Sequence, residues 1–207
     1  TLAETYGVGS GDEHSTQCNS GNNPINCATG NFLHTFTDDA YPSRGLLFDL
    51  SRTYNSLAAS SDSPFGYGWS SSYAMHLSVD QATGQVTVSQ ENGATNTFTP
   101  AGNGSYTSPS RVFATLRQND DGSYTFTRLK QQVFTFDSAG VLTSERDLNG
   151  ETTTLSYDRA GELSAVIDSA GRVTTFDHNS DGTVSEVTDP AGRVVSYGYD
   201  SAGNLTA

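Results

Sequence analysis

Lysine is almost missing from this chain: Lys130 stands alone, as do Met75 and Trp69. Scarcity of Lys and Met, both helix formers, argues against long surface helices as the main architecture. Thr, Val, Tyr and Phe fill the regular stretches instead, which predicts an all-β protein. Basic residues of both kinds number ten against 23 acidic ones, a formal charge of −13. A surface of that sign repels phosphate backbones and argues against a nucleic-acid partner. A basic partner, a divalent cation or plain solubility accounts for it better. No run approaches the roughly 18 apolar residues that a membrane-spanning helix needs. Thr1 opens no secretion signal, so the sequence reads as a soluble protein from which any export signal has gone. Only 34% of residues are hydrophobic, yet 10 Tyr and 10 Phe can bury enough surface to offset ordering entropy.

Cysteine is scarce as well. Cys18 and Cys27 bracket "CNSGNNPINC", a loop of turn formers short enough for the thiols to meet. Neither has a second Cys or a His nearby at ligand spacing, which disfavours zinc. A disulfide is the favoured reading, worth roughly 2–3 kcal/mol in the chain-entropy model. It implies an oxidising compartment, outside the cell or at its surface.

What the chain has in abundance is repetition. "DSAGR" at Asp168 returns as "DPAGR" at Asp189, and the period of 21 extends far beyond the pentapeptide. Gly140, Gly161, Gly182 and Gly203 share one column; Asp147, Asp168 and Asp189 share another; Gly150, Gly171 and Gly192 a third. Phe136, Tyr157, His178 and Tyr199 align, followed by Asp137, Asp158, Asn179 and Asp200, and then Leu142, Leu163, Val184 and Leu205. A register held this long marks a stack of like units.

Each unit reads as a β-hairpin with a second turn leading to the next. Glycines fall where a tight turn needs positive φ, and aspartates where a carboxylate can hold the turn backbone. Leu155 and Tyr157 share a strand face, as do Phe134/Phe136, Phe176/His178 and Tyr197/Tyr199. Stacked in register they form an apolar ladder, each hairpin covering the next. On the return strand Leu163 and Val166 are three apart, which predicts a bulge. The last residues, "YDSAGNLTA", form part of a unit, so the sequence reads as a fragment of a longer array.

Three regions follow. Residues 1–17 are polar and aperiodic, a tail. Residues 18–110 form a non-repetitive β lead-in module, in which "NFLHTFTD" and "LLFDLSRTYNS" read as strands. "QVTVSQENGATNTFTP" reads as a hairpin with a primed turn at Asn92-Gly93. Residues 111–207 carry the repeats, beginning with a diverged hairpin at 111–135. Within the lead-in, "PFGYGWSSSY" gathers Phe65, Tyr67, Trp69 and Tyr73. Such a cluster is either a packed corner or a platform for stacking a sugar or a partner.

These repeats resemble the YD repeats of the Rhs family, named for pairs such as Tyr157-Asp158 and Tyr199-Asp200. "NPINCATGNF", "RTYNS" and "FGYGWSSSY" are similar to the segment that leads into bacterial Rhs repeats. The resemblance runs from Cys18 onward. It implies an antiparallel hairpin strip that spirals into a hollow shell, enclosing a C-terminal toxin in many members and serving adhesion in animal relatives. No toxin segment is visible, and the visible units are too few to close a shell. "DPAGR" could be mistaken for the later motif at which many Rhs proteins cleave themselves, but Asp189 sits in the turn column with Asp147 and Asp168, so its expected role is structural.

Little else points to chemistry. His14, His34, His76 and His178 show no nucleophile or metal spacing, and no nucleophile elbow, zinc helix motif or phosphate loop occurs. A non-catalytic protein is expected; an enzyme would need a pocket with perturbed carboxylates. The sharpest alternative is "DHNSDG", whose Asp177, Asn179 and Asp181 alternate as in the first half of a calcium loop, though Thr188 stands where the bidentate Glu belongs. The same stretch also makes a good hairpin turn, and no other cofactor is implied. Two functions remain: part of an extracellular shell whose partners are its own further repeats and cargo, or an adhesion module that uses Tyr67, Trp69 and Tyr73 to bind a cell-surface glycan or protein.

Overall fold

Alternation, glycine punctuation and Asp-held turns produce one long antiparallel meander. The computed structural model describes Ile25, residues 30–128 and residues 132–207. The tail and both cysteines, Cys18 and Cys27, lie outside these residues. Strands β1 (Leu33–Tyr41), β2 (Phe48–Asn55) and β3 (Trp69–Ser71) form a small sheet in that order. The remaining strands are β4 (His76–Val79), β5 (Val86–Ser89), β6 (Thr95–Gly102), β7 (Ser105–Thr107), β8 (Ala114–Gln118), β9 (Tyr124–Arg128) and β10 (Gln132–Phe136). They continue as β11 (Leu142–Arg146), β12 (Thr152–Tyr157), β13 (Leu163–Ile167), β14 (Val173–His178), β15 (Val184–Thr188) and β16 (Val194–Ser196). All thirteen pair with their sequence neighbours in a single sheet. The Tyr199–Leu205 bridge begins one further hairpin. The chain is all-β and its sheets are antiparallel and open, as its composition predicts.

The repeat columns become physical contacts. Phe136 pairs with Leu142, Tyr157 with Leu163, His178 with Val184, and Tyr199 with Leu205. One residue of each return strand is skipped in the pairing, at Thr143, Ser164 and Ser185. This is the bulge that the three-residue spacing of Leu163 and Val166 requires. Thr143 and Ser164 bond the carbonyls of Thr135 and Ser156 opposite, at 3.0 Å each. A bulge in every unit increases the twist, and the strip curls enough to touch itself. The Leu77 amide of edge strand β4 donates to the Gly140 carbonyl at 2.8 Å, and His76 bridges Val141.

Two details depart from the sequence reading. Asn92-Gly93 does not make a primed turn: only Gly93 has positive φ, and the loop closes from the Gly93 amide to Gln90 and from Gln90 to Ala94. The Asn92 side chain, which accepts from the Ala94 amide at 3.0 Å, favours this type I turn with a glycine bulge. The primed turn comes one hairpin later, at Asn103-Gly104, where both φ angles are positive. The expected division at residue 110 falls inside the large sheet, between the hydrogen-bonded strands β7 and β8.

One core serves both sheets. Phe48, Leu50, Phe65 and Tyr73 from the lead-in pack with Phe126, Phe136, Val166, Phe176 and Val187 from the strip.

Candidate functional site

The hairpin strip has two rows of turns. Along one row the Asp137, Asp158 and Asp200 side chains are exposed. Along the other, Asp168 and Asp189 are buried, because the β1–β2 sheet lies across them. All five aspartates use one device: a single carboxylate oxygen accepts from the amides two and four residues on. The buried pair adds a second. Arg172 and Arg193 bond the remaining carboxylate oxygen through Nε at 2.7 and 2.6 Å, and their outer nitrogens cross to the lead-in sheet. Arg172 reaches the Pro42 carbonyl at 2.6 Å and lies over the Tyr41 ring, while Arg193 reaches Asp39 at 2.9 Å. Ser43 also donates to Asp168 at 2.8 Å. Burial opposes the Asp168 charge, but the bonds from Arg172 and Ser43 outweigh it and hold the carboxyl below its usual range.

In the preceding unit the polarity is reversed. "DLNGE" puts Glu151 in the arginine column, and its partner is Arg44, 3.7 Å away. Three successive turns thus fasten to positions 44, 42–44 and 39 of the lead-in. The repeated pentapeptide is a rivet: its Asp shapes the turn and its Arg crosses the seam.

A buried cluster closes the same seam further along. Arg52 of β2 forms a two-pronged ion pair with Asp38, and Tyr197 donates to that carboxylate at 2.9 Å. The guanidinium also lies 4.9 Å from the Trp69 ring and 5.0 Å from that of Tyr197. Burial lowers the Arg52 pKa, and the Asp38 bonds and charge more than restore it.

The tyrosine of each "YD" pair works backwards along the strip. Tyr157 donates to the Leu142 carbonyl at 2.7 Å and Tyr199 to Val184 at 2.8 Å, each reaching the preceding hairpin. Burial pushes both phenols up to about 12, so they remain donors at neutral pH. His178, in the same column, instead faces Glu162 at 3.7 Å.

The aromatic cluster is divided by the fold. Tyr73 is core, stacked on Phe48 with ring centres 5.6 Å apart, and Phe65 is equally buried. Tyr73 is therefore removed from the ligand-stacking group. Its neighbour two residues back, Ser71, pairs with Arg52 on the repeat-facing side of β2, and the chain enters the core there. Tyr67 is exposed and Trp69 half-buried, beside Phe36 and Tyr54 at 5.9 and 5.3 Å from the indole.

The "DHNSDG" stretch is a hairpin turn. Asn179 bonds Thr183 through its side chain, and Asp181 accepts from both the amide and the hydroxyl of Thr183. Asp177 lies exposed on β14. Among the described residues no three carboxylate or imidazole groups converge as a cation would need.

An open cleft of about 610 Å³ contains the one strongly perturbed carboxyl in this part of the molecule. Its walls include Leu47, Tyr73, Glu91, Arg128 and Glu145. Burial, then the Glu91 charge, push Glu145 up to about 8, with Arg128 pulling it back. Arg128 is held by Glu91 at 2.6 Å and Gln132 at 2.8 Å, over the Phe134 ring. Protonation of Glu145 relieves its repulsion with Glu91.

Residues 136–173 and 178–207 match the RHS Repeat family. This chain is an Rhs/YD-repeat protein. Ahead of its Rhs repeats, residues 22–98 match a domain of unknown function, DUF6531. A 98-residue stretch is 39% identical to the tRNA nuclease WapA of Bacillus subtilis (strain 168). An alignment of the same length is 38% identical to the tRNA3(Ser)-specific nuclease WapA of Bacillus spizizenii. Each covers 47% of the Rhs chain and 4% of the relative. The chain therefore spans a small fraction of the curated relatives it matches.

The sequence located Tyr157, Asp158, Gly161, Asp168, Gly171, Asp189, Gly192, Tyr199, Asp200 and Gly203 as repeat positions, and the structure puts them in turns and ladders. It missed Arg172, Arg193, Arg52 and Asp38. The fifth letter of "DSAGR" and "DPAGR" was the available signal.

Proposed function

We propose that this chain is the opening section of an extracellular Rhs-type β-shell, a non-catalytic wall that encloses or presents a C-terminal toxin or effector. The observation that supports it most is the seam: a lead-in sheet fastened turn by turn to a meander that adds one hairpin every 21 residues. Such a seam anchors the start of a wall and leaves its other end able to grow. Its partners are then further repeats and the cargo of its own polypeptide. The nuclease named in the WapA relatives makes a nucleic-acid-cleaving cargo the first class to look for. No helix among the described residues is long and apolar enough to cross a membrane. The decisive experiment is limited proteolysis of the full-length product of the gene, comparing wild type with a variant in which Arg172 and Arg193 are both changed to Glu. A cargo that survives digestion in wild type and is cut in the variant supports a shell; a cargo cut equally in both refutes it.

The second reading, adhesion, retains the Phe36–Trp69 ring cluster as its observation. It requires that Trp69→Ala abolish binding to glycan-bearing or receptor-bearing cells without loss of fold.

A further inference from the structure

The repeat-facing side of the lead-in sheet continues past the last hairpin. On β1 that side carries Tyr41, Asp39, Phe36 and His34, opposite Phe48, Leu50, Arg52 and Tyr54 of β2. The bulge between Thr37 and Asp39 preserves the facing. Under the repeats this row is closed: Tyr41 is 9% exposed, Phe48 3% and Leu50 0%. Beyond Tyr197 it opens, with Phe36 at 44% and Phe32 at 37%. The bare part is a continuous set of rings. Phe32 neighbours His34 and Tyr54, His34 lies 4.4 Å from Phe36, and Phe36 and Tyr54 both contact Trp69. Leu205 and Asn204 of the last bridge form its rim.

We infer that this aromatic row is the seat of a fifth hairpin of the same polypeptide, the 21-residue unit following Ala207. The inference rests on the shell reading of the chain and is carried by spacing. Each hairpin advances the strip by two strands, about 9.6 Å. Three residues of β1 advance about 10 Å. The turns of three successive units meet the lead-in at Arg44, at Pro42–Arg44 and at Asp39, moving onto β1. The step from Pro42–Ser43 to Asp39 is three to four residues, and a further step of three arrives at Phe36.

The chemistry matches as well as the distance. The strand column that faces the lead-in reads Phe134, Leu155, Phe176 and Tyr197, all buried. Tyr197 already meets Phe65 edge-on, with centroids 5.1 Å apart. The next member of that column would lie over Phe36, Tyr54 and Trp69, apolar against aromatic. The last row before the gap is the charged Arg52–Asp38 pair, and beyond it the floor is made of rings, with Asn204 at the rim. This face continues an interface that the preceding hairpins already occupy.

The test appends a second copy of residues 187–207 directly after Ala207, which keeps the 21-residue period. A control carries the same 21 residues in shuffled order. Trp69 is the sole tryptophan, so its emission reports on the face directly. With the true unit, acrylamide quenching of Trp69 falls roughly twofold or more and its emission moves to the blue, as burial of a half-exposed ring requires. The shuffled tail changes neither. Phe36→Asp reverses both effects in the extended chain while leaving the melting temperature of the 207-residue chain nearly unchanged. If the true unit folds yet leaves Trp69 as quenchable as before, the inference is overturned. It is equally overturned if the extended chain still binds glycans through Trp69. No cargo is present in this experiment, so the shell reading and the register of the seat can fail independently.

Discussion

Removing Arg52 should loosen the lead-in sheet from the repeats at a largely buried ion pair. The Arg52 and Asp38 side chains are 12% and 10% exposed, and the pair is joined by two hydrogen bonds. Breaking such a pair from one side costs about 3–5 kcal/mol, because the abandoned charge keeps its desolvation penalty without a counter-ion. Asp38 would still hold the Tyr197 hydroxyl, which argues for the lower half of that range. Lost contacts with the Trp69 and Tyr197 rings add about 0.5–1 kcal/mol each. Arg52→Ala is therefore expected to lose about 4–6 kcal/mol. With a urea slope of about 2.5 kcal/mol/M, the unfolding midpoint drops by about 1.6–2.4 M. The double change Arg52→Met with Asp38→Leu removes both charges and keeps the volume but leaves the Tyr197 hydroxyl without its acceptor, so it should lose about 2–3 kcal/mol, well short of the sum of the two single changes. Urea titrations followed by Trp69 emission and by far-ultraviolet dichroism read local and global loss together. A midpoint shift for Arg52→Ala under about 0.4 M would place the pair among weak surface bridges and refute the reasoning. So would a double variant that loses the sum of the singles.

Other substitutions isolate other parts of the strip. A Cβ at Gly140 would lie 2.4 Å from the Leu77 carbonyl oxygen, whereas at Gly161 it meets open space; both have φ of +87°. Gly161→Ala should cost about 1 kcal/mol and Gly140→Ala about 3 kcal/mol, and equal melting temperatures would refute the β4 stitch. Tyr157→Phe removes the donor to Leu142 and should cost about 1 kcal/mol in urea unfolding; no change would show that the phenol bonds water equally well. Glu145 titrates near 8 in the folded protein against 4.5 for a free side chain. Between those values the folded form keeps a proton that the unfolded form has released, so stability falls as pH rises from about 4.5 to 8 and levels off above. Glu145→Gln should remove that slope, and at pH 9 it should be more stable than wild type by on the order of 1–2 kcal/mol, allowing for water reaching the open cleft. Identical slopes between about pH 5 and pH 8 in both proteins would reject the assignment.

Much of the strip was legible because its rules are local. Hairpins, turns and the bulge at Ser164 follow from spacing within a single unit, and β1 and β2 follow from alternation. The turn at Asn92-Gly93 was misjudged because a dipeptide suits two loop geometries, and Asn92 selects between them through one side-chain bond to Ala94. The division of Phe65 and Tyr73 from Tyr67 and Trp69 was hidden because burial there depends on β2 pairing with β3. The seam was least legible. Arg172 and Pro42 lie 130 residues apart, and Arg193 and Asp39 lie 154 apart. No local pattern reports which distant partner a repeated arginine will find.

Those separations also determine an order of events during synthesis. The lead-in sheet emerges from the ribosome first, yet Tyr41 must wait for Thr174, Ser43 for Asp168, and Asp39 for Arg193. Until more than 120 further residues have appeared, the inner side of β1 and β2 is covered only in part, by Phe65 and Tyr73. Long-range pairing of this kind is slow and leaves intermediates prone to association. Pausing translation before residue 168 should therefore yield a sticky, protease-sensitive nascent chain. One that has passed residue 193 should be closed, each later hairpin being laid on a seam that is already set.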